Sequence, residues 1–362
     1  MTPTAPRIAG RHPADALFGF CVQALSAAGA DPATAEAASR AMLHGSRLGV
    51  DSHGVRLLDH YITVIETGRV VADPQMHYVS EAGAVATLDA GSGHGALAAY
   101  TAMDKAMALA ATSGIGAVAI RNSSHFGPAG AFALAAAEQG YIGLAFCNSD
   151  SFVRLHNGAE RFHGTNPIAA AAPVAGQRPW LLDMATSAVP YNRVLLYRSL
   201  GLPLPPEAAS DADGIDTRSA EAAQMLAPVG GGFGFKGAGL GGLVEIFSAV
   251  LSGARLSFDI LPMGGPDMTT TRDVGAFVLA LRPSAFLPEA LYQAGMAHYL
   301  ATLRASRPAD GQEVMAPGDR EWREADRRAA IGIPIDPTTA DSFQRLAARF
   351  GIPHPRGVES TQ

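Results

Sequence analysis

Two short polar segments contain the side chains best suited to acid–base chemistry. Asn122-Ser123-Ser124-His125-Phe126-Gly127 carries a histidine, and Asn148-Ser149-Asp150 carries a carboxylate. A histidine changes charge near neutral pH, so His125 can act as a general acid or base. The alternative, which applies to any single histidine, is that its ring simply packs in a loop. The second polar segment favours the chemical interpretation because Asp150 could orient the His125 ring.

A second histidine lies in the segment Asp51-Ser52-His53-Gly54. Asp51 or Ser52 could cap a helix that continues to Gly68, and His53 would then be incidental. Tyr61 follows His53 by two helical turns and falls on roughly the same helical face. Together His53 and Tyr61 could line the wall of a pocket.

Two glycine-rich segments superficially resemble nucleotide-binding motifs. Gly91-Ser92-Gly93-His94-Gly95-Ala96 has alanine where a Rossmann fingerprint needs its third glycine, which predicts a structural turn. Gly230 to Gly237 does not match a P-loop, although its glycines, a helix N-terminus and Lys236 are suited to binding an anion. The alternative for this segment is a flexible loop with a solvated lysine.

Composition and missing motifs exclude several classes of protein. The 362 residues have a net charge of −6 and an isoelectric point of about 6.0, so neither nucleic acid nor an anionic membrane is an expected partner. No His-x-x-x-His, HExxH, Cys-x-x-Cys or G-x-S-x-G pattern occurs, so we expect no bound metal and no serine hydrolase. Cys21 and Cys147 lie in apolar runs, and no signal peptide is apparent. Two reduced, buried thiols in a cytoplasmic protein are therefore expected.

The elements that must position these residues are those of an α/β protein. Helical patterns open the chain, and from His77 onward short β-rich runs alternate with longer helical ones. We predict strands over 84–89, 116–120, 142–147, 168–172, 180–182 and 276–281, and helices over 32–47, 96–113, 128–139, 190–200, 238–251, 287–304 and 339–350. If the strands that precede His125 and Asp150 are parallel neighbours, their carboxyl ends bring the two polar segments together. The polar stretch from Pro308 to Arg328 is predicted to be a surface loop or arm.

Five ordered segments resemble the malate/L-lactate dehydrogenase-like oxidoreductases, which include sulfolactate, ureidoglycolate, 2,3-diketogulonate and cyclic-imine (piperideine-2-carboxylate) members. The resemblance covers residues 13–335. The matching segments are Asp51-Ser52-His53-Gly54-Val55, Asn122 to Gly127, Gly164-Thr165-Asn166-Pro167, Leu182-Asp183-Met184-Ala185-Thr186-Ser187, and Phe235-Lys236-Gly237 together with Glu245.

The resemblance implies a fold distinct from the Rossmann type. It implies a helical N-terminal segment (residues 1–75), a mixed-sheet NAD(P)-binding domain (76–285), and C-terminal helices and an arm (286–362) that pack on the helical segment. It also implies a homodimer, a small 2-oxo or 2-hydroxy acid substrate and an NAD(P) cofactor, without choosing between NAD and NADP.

Residue roles follow from the same resemblance. His125 is implied to be the acid/base, with His53 beside it, Asp150 in support, and Ser52 and Tyr61 at the substrate. Either histidine could carry the proton to the new oxyanion. The implied cofactor residues are Ser149, Asp183, Met184, Ala185, Thr186, Ser187, Phe235, Lys236, Gly237, Gly318 and Asp319.

Two departures from the family pattern bear on specificity. Asn192-Arg193 replaces a Gly-Lys pair that many members carry, so Arg193 is expected to contact a cofactor phosphate. Leu57 stands where many members have arginine, and Arg56 is the nearby candidate for the substrate carboxylate. The resemblance therefore does not identify the substrate. The alternatives are an NADPH-dependent reductase of a cyclic imine and a non-catalytic, ligand-binding relative.

Overall fold

The computed structural model describes residues 8–358 as a mixed sheet covered by helices, with further helices from both ends of the chain. The strands are β1 (Gly10–His12), β2 (His77–Ala82), β3 (Val85–Asp89), β4 (Ile115–Ser123), β5 (Ile142–Cys147), β6 (Val153–Arg154), β7 (Arg161–His163), β8 (Ile168–Ala172), β9 (Trp180–Met184), β10 (Ala209–Ser210), β11 (Met225–Leu226), β12 (Val274–Leu281) and β13 (Ile333–Ile335). The helices are α1 (Ala14–Ala27), α2 (Pro32–Arg47), α3 (Leu58–Glu66), α4 (Gly95–Ser113), α5 (Gly130–Ala137), α6 (Tyr191–Ser199), α7 (Phe235–Glu245), α8 (Glu289–Arg304), α9 (Asp319–Ile331) and α10 (Pro337–Phe350). A π-helical segment, Ile246–Val250, continues α7.

The large sheet has the strand order β2-β3-β4-β12-β5-β8-β9. Only β3 and β4 pair in parallel, and β12 runs antiparallel to both β4 and β5. In that register Phe277 lies between Ala119 and Phe146. The sequence of β12 is apolar without alternation, as expected for a strand covered on both faces. The mixed-sheet α/β fold is thus confirmed, but the expected parallel contact between β4 and β5 is wrong because β12 separates them.

Helices α4 and α5 pack closely on the sheet because the residues at the contact are small. A Cβ atom on Gly116 of β4 would lie 2.0 Å from the Ala106 carbonyl oxygen of α4. A Cβ atom on Gly143 of β5 would lie 2.5 Å from the Ala133 carbonyl oxygen of α5. Both glycines therefore set the distance between helix and sheet.

Substituting Gly116 should measurably destabilise the protein. We expect Gly116→Ala to lower the free energy of unfolding by about 1–3 kcal/mol, since the added methyl group meets helix backbone rather than a movable side chain. The control is Gly19→Ala in α1, where an added Cβ atom has open space and a gain of about 0.5–1 kcal/mol is expected. Urea unfolding of both variants measures the difference, and equal stabilities would contradict the predicted close contact.

The N-terminal helices form a second core with elements from the other end of the chain. Leu17, Leu58 and Phe343 are buried together there, and β1 pairs with β13. The N-cap predicted for α2 is confirmed, because the Asp31 carboxylate accepts hydrogen bonds from the N–H groups of Thr34 and Ala33.

A smaller sheet was not anticipated from the sequence. It has the order β10-β11-β6-β7 and shares a core with α6, in which Val194 and Leu204 are buried. Its strands contain two or three residues each, too few for a periodic pattern to be recognised.

Two local predictions are wrong. The stretch Pro308–Arg328 is not wholly a loop, since α9 begins at Asp319, and its Arg328 is buried and contacts Asp51. Neither Asp51 nor Ser52 caps a long helix: two 3₁₀ turns (Asp51–His53 and Val55–Leu57) precede α3. Cys21 and Cys147 are buried free thiols, as expected. None of the helices within residues 8–358 combines the length and apolar character needed to cross a membrane.

Candidate active site

His125 lies in the connection between β4 and α5, and backbone contacts fix the conformation of that connection. The neighbouring Ser124 hydroxyl donates to the Gly93 carbonyl and accepts from the Gly95 N–H, each at 3.0 Å. A Cβ atom on Gly95 would lie 2.2 Å from the Ser124 carbonyl oxygen. The Gly91–Ala96 segment is therefore a structural turn that supports the His125 loop.

The side chains expected to share the chemistry do lie together. The rings of His53 and His125 are stacked with centroids 5.7 Å apart and planes 24° apart. The Tyr61 hydroxyl lies 2.9 Å from Nδ1 of His125, and the Ser52 hydroxyl lies 2.9 Å from Nδ1 of His53. His53, His125 and Ser52 are half-buried whereas Tyr61 is buried, so both imidazoles remain accessible to a small molecule.

The surroundings keep His125 neutral. Burial is the largest cause of its strongly lowered pKa, and neighbouring His53 and His60 act in the same direction. Arg272 and His94 lower the pKa further. A neutral imidazole can accept a proton at neutral pH, which is what a general base requires.

The nearby histidines are neutral for the same reason. Burial lowers the pKa of His53, that of His60 to about 4, and that of His94 to about 3. Arg272 and Arg69 add to the effect at His60. A cluster of imidazoles can therefore occupy one site without mutual charge repulsion.

The sequence predicted that Asp150 orients the His125 ring, but these two side chains are not in contact. Its carboxylate forms a buried ion pair with Arg272 and accepts a hydrogen bond from the Met263 N–H at 3.1 Å. Because β12 lies between β4 and β5, Asp150 meets Arg272, two residues before β12, instead. The partner of His125 Nδ1 is Tyr61, so any support from Asp150 is indirect and passes through Arg272.

Two buried arginines fix the segment that precedes β12. Arg69 is 2% exposed and donates to the carbonyl groups of Pro262, Met263 and Thr270. Arg272 donates to the Leu261 carbonyl. The sequence does not indicate either arginine as a site residue, since neither belongs to a recognisable motif.

Glu245 is buried, and its carboxylate joins several elements through hydrogen bonds. One carboxylate oxygen accepts from Asn148 Nδ2 at 3.2 Å and from the Ser257 N–H at 2.6 Å. The other accepts from Asn166 Nδ2 at 2.9 Å and from the Ser257 hydroxyl at 2.6 Å. These contacts join the ends of β5, β8 and α7, so Asn166 and Glu245 hold the structure together here.

The segment expected to bind the cofactor continues β9. Asp183 is exposed, and its carboxylate accepts from the Gly130 N–H of α5 at 2.8 Å. Met184 and Ala185 are half-buried, and Thr186 and Ser187 are buried. The Ser149 hydroxyl accepts a hydrogen bond from the Thr165 N–H at 3.3 Å. The Thr165 carbonyl accepts a hydrogen bond from the Thr186 hydroxyl.

The glycine-rich segment meets this strand end. The Val229 N–H donates to the Thr186 carbonyl at 2.9 Å, and a Cβ atom on Gly237 would lie 2.2 Å from the Val229 carbonyl oxygen. Phe235 and Lys236 at the start of α7 are both exposed. The structure thus brings the expected cofactor segments around residues 183–187 and 235–237 together.

The remaining residues predicted to bind cofactor or substrate lie on other elements. Gly318 packs against Leu181 of β9, and the Asp319 carboxylate is held by Arg304 and by the Ala316 N–H. Arg56 and Arg193 are exposed, on the second 3₁₀ turn and on α6.

Sequence and structure comparisons agree on the relationship. A family model for malate/L-lactate dehydrogenase matches residues 12–344. The malate dehydrogenase of Pyrococcus abyssi (strain GE5 / Orsay) is 35% identical over 358 residues, covering 96% of each chain. The (2R)-3-sulfolactate dehydrogenase (NADP(+)) of Chromohalobacter salexigens is 36% identical over 283 residues, covering 76% of this chain and 84% of that protein. The solved structure of malate dehydrogenase from Pyrococcus horikoshii OT3 superposes with a TM-score of 0.87 at 30% identity, covering 96% of this chain and 97% of that one. The chain therefore belongs to the malate/L-lactate dehydrogenase family.

Proposed function

We propose that the protein is an NAD(P)-dependent dehydrogenase of a small 2-hydroxy acid, or a reductase of the matching 2-oxo acid, with His125 as the acid/base. The observation that carries the proposal is the neutral, accessible His125 ring held at Nδ1 by Tyr61. The family supports the reaction class, since its members here are named malate and sulfolactate dehydrogenases.

In the oxidation direction, His125 removes the proton of the substrate hydroxyl. Nδ1 faces Tyr61, so Nε2 is the atom left for the substrate. For Nε2 to accept that proton, Nδ1 must carry the hydrogen of the neutral ring and donate it to the Tyr61 oxygen, and it does the same in the protonated ring. Burial raises the pKa of Tyr61, so this hydroxyl keeps its proton throughout.

The residues around β9 and α7 fit a dinucleotide. Lys236 is an exposed cation in the first turn of α7, where backbone N–H groups also favour a phosphate. Phe235 is 55% exposed and offers an apolar face beside it. Ser149, residues 183–187, Gly237 and the Gly318–Asp319 turn would complete the cofactor site, and Arg193 is the candidate for a 2′-phosphate. When bound, NAD(P) supplies or accepts the hydride at the substrate's 2-carbon.

The substrate carboxylate needs a cation or several donors. Ser52 lies next to His53, and Arg56 is exposed in the next turn. We propose that Arg56 and Ser52 bind the carboxylate, with His53 beside the reacting oxygen. Asp150 supports the site through Arg272.

We also propose a homodimer in the cytoplasm. The continuous segment from α7 into the π-helix exposes apolar side chains, with Ile246 56% and Val250 63% exposed. Contiguous apolar surface of this kind marks contact sites, and a second copy is the proposed occupant. Light scattering should give a dimer mass, and Ile246→Glu with Val250→Glu should give a monomer. A parent protein that is monomeric at micromolar concentration would contradict the proposal.

The function is tested with both cofactors and a panel of acids. Malate, lactate, sulfolactate and ureidoglycolate are assayed for nicotinamide reduction, and pyruvate, oxaloacetate and piperideine-2-carboxylate for nicotinamide oxidation. Turnover of the cyclic imine alone would favour the reductase alternative. Failure of NAD(H) and NADP(H) alike to raise the melting temperature would exclude the dehydrogenase. Cofactor binding without turnover of any acid would favour the non-catalytic alternative.

The low pKa of His125 predicts an asymmetric pH dependence. Oxidation uses the neutral ring as a base, so kcat/KM for oxidation should stay level as the pH falls through 6.5, the usual histidine pKa. Reduction needs the protonated ring, so its kcat/KM should rise as the pH falls. Initial rates between pH 5 and pH 9 measure both, and an oxidation profile that breaks near pH 6.5 would argue against the predicted shift.

A further inference from the structure

His94 is a buried histidine with no part in the proposed chemistry. Its side chain is 1% exposed, and it precedes the first residue of α4. Nδ1 accepts a hydrogen bond from the Ala96 N–H at 3.1 Å, so the proton of the neutral ring sits on Nε2. Nothing between residues 8 and 358 accepts a hydrogen bond from that Nε2. An unsatisfied buried N–H is costly, so a smaller polar cap would serve α4 better.

The His94 ring has a second contact, with Tyr61. The two rings meet edge to face, with centroids 4.3 Å apart and planes 89° apart. This is a favourable arrangement for aromatic pairs, and it restricts rotation of the phenol. The same phenol places its hydroxyl 2.9 Å from Nδ1 of His125.

The backbone on both sides of His94 is held tightly. A Cβ atom on Gly93 would lie 2.6 Å from the Pro74 side chain, and one on Gly95 would lie 2.2 Å from the Ser124 carbonyl oxygen. His94 is thus attached to the same loop that carries His125. It contacts Tyr61 from a rigid position.

We infer that His94 is a positioning residue, which holds the Tyr61 hydroxyl against Nδ1 of His125 by packing edge-on against the Tyr61 ring. The inference rests on the proposed acid–base role of His125. The titratable or charged groups that influence His125 are His53, His60, His94 and Arg272, and Tyr61 contacts it directly. Among the ring pairs that Tyr61 forms with these histidines, the pair with His94 has the shortest centroid distance, and His94 also caps α4.

Two substitutions separate the cap from the ring contact. His94→Asn keeps a good N-cap residue but removes the ring from Tyr61. His94→Phe keeps a ring of similar size but has no acceptor for the Ala96 N–H. The exposed His298 on α8 provides His298→Asn as the matched control.

We expect one variant to lose activity and the other to lose stability. For His94→Asn we expect kcat to fall about 10-fold to 100-fold with KM changed less than about twofold, because the proton carrier is misplaced. The pKa of His125, followed by NMR of its ring in the cofactor-free protein, should rise, because the smaller Asn side chain lessens the burial that is the largest cause of its low pKa. For His94→Phe we expect kcat and that pKa to stay close to those of the parent, while the melting temperature falls by about 1–3 °C.

The readouts distinguish this inference from the proposed function. If His94→Asn is folded and has the parent's kcat and His125 pKa, the inference is wrong and the dehydrogenase assignment is unaffected. If His94→Phe loses activity as strongly as His94→Asn, the ring contact is not what matters and the inference is also wrong. The NMR titration needs no turnover, so it tests the contact even if the parent oxidises none of the acids.

Discussion

His125→Ala is expected to lower kcat for the preferred hydroxy acid by about 10²–10⁴-fold, the usual range for loss of a positioned acid or base. The ring is accessible, neutral and held at Nδ1, so Nε2 is placed to accept a proton. His53 is also neutral and is held at Nδ1 by the Ser52 hydroxyl, so it is the alternative proton carrier. Tyr61 is not, because its phenol is buried with a raised pKa.

Cofactor binding should survive this substitution. The proposed dinucleotide contacts lie around Asp183 and Lys236, so the rise in melting temperature with NAD(P)H should match that of the parent. His298→Ala on α8 is the control and should retain full activity. Should His125→Ala keep parental turnover, His53 becomes the proton carrier, and His53→Ala would then show the large loss instead.

Glu245→Ala should cause the largest loss of stability, on the order of 3–5 kcal/mol. The carboxylate accepts four hydrogen bonds in a buried position, from Asn148, Asn166 and Ser257. Its removal leaves a cavity and several buried donors with fewer partners. Asn166 Nδ2 keeps its bond to the Gly241 carbonyl, which limits the loss.

The isosteric Glu245→Gln should not restore the stability. Each carboxylate oxygen faces two donors, so an NH₂ group in either position meets donors rather than acceptors. Urea unfolding monitored by circular dichroism measures the loss, with exposed Glu36→Ala on α2 as the control, expected within about 0.5 kcal/mol of the parent. A parental midpoint for Glu245→Gln would show that the donors can rearrange.

Elements with a strong local pattern could be predicted from the sequence. β5 and β8 have the predicted bounds because both are short apolar runs between turn residues. The N-cap of α2 was equally predictable, since Asp31-Pro32 is a local signal. The grouping of His53, Tyr61 and His125 was expected from the family resemblance, and that of His53 with Tyr61 also from their spacing on one helical face.

Contacts between distant segments could not be predicted in the same way. Nothing local in β12 indicates that it inserts between β4 and β5, and that insertion is why Asp150 meets Arg272 instead of His125. Helix α9 was missed because eight of its thirteen residues are charged and its two buried residues, Ala325 and Arg328, give no apolar stripe. His94 was interpreted only as part of a glycine-rich turn, because the ring contact with Tyr61 depends on the tertiary fold.

The position of β12 also determines when the active site can form during synthesis. β4 and β5 leave the ribosome early, but the strand that joins them follows only after residues 148–273 have been made. Until then, each of the two strands presents an unpaired edge toward the gap, and edges of that kind are prone to pair wrongly. Closing so long a loop is slow compared with forming local hairpins. A nascent chain that stops before Val274 should therefore hold His125 without its final surroundings, and should depend on chaperones more than the finished protein does.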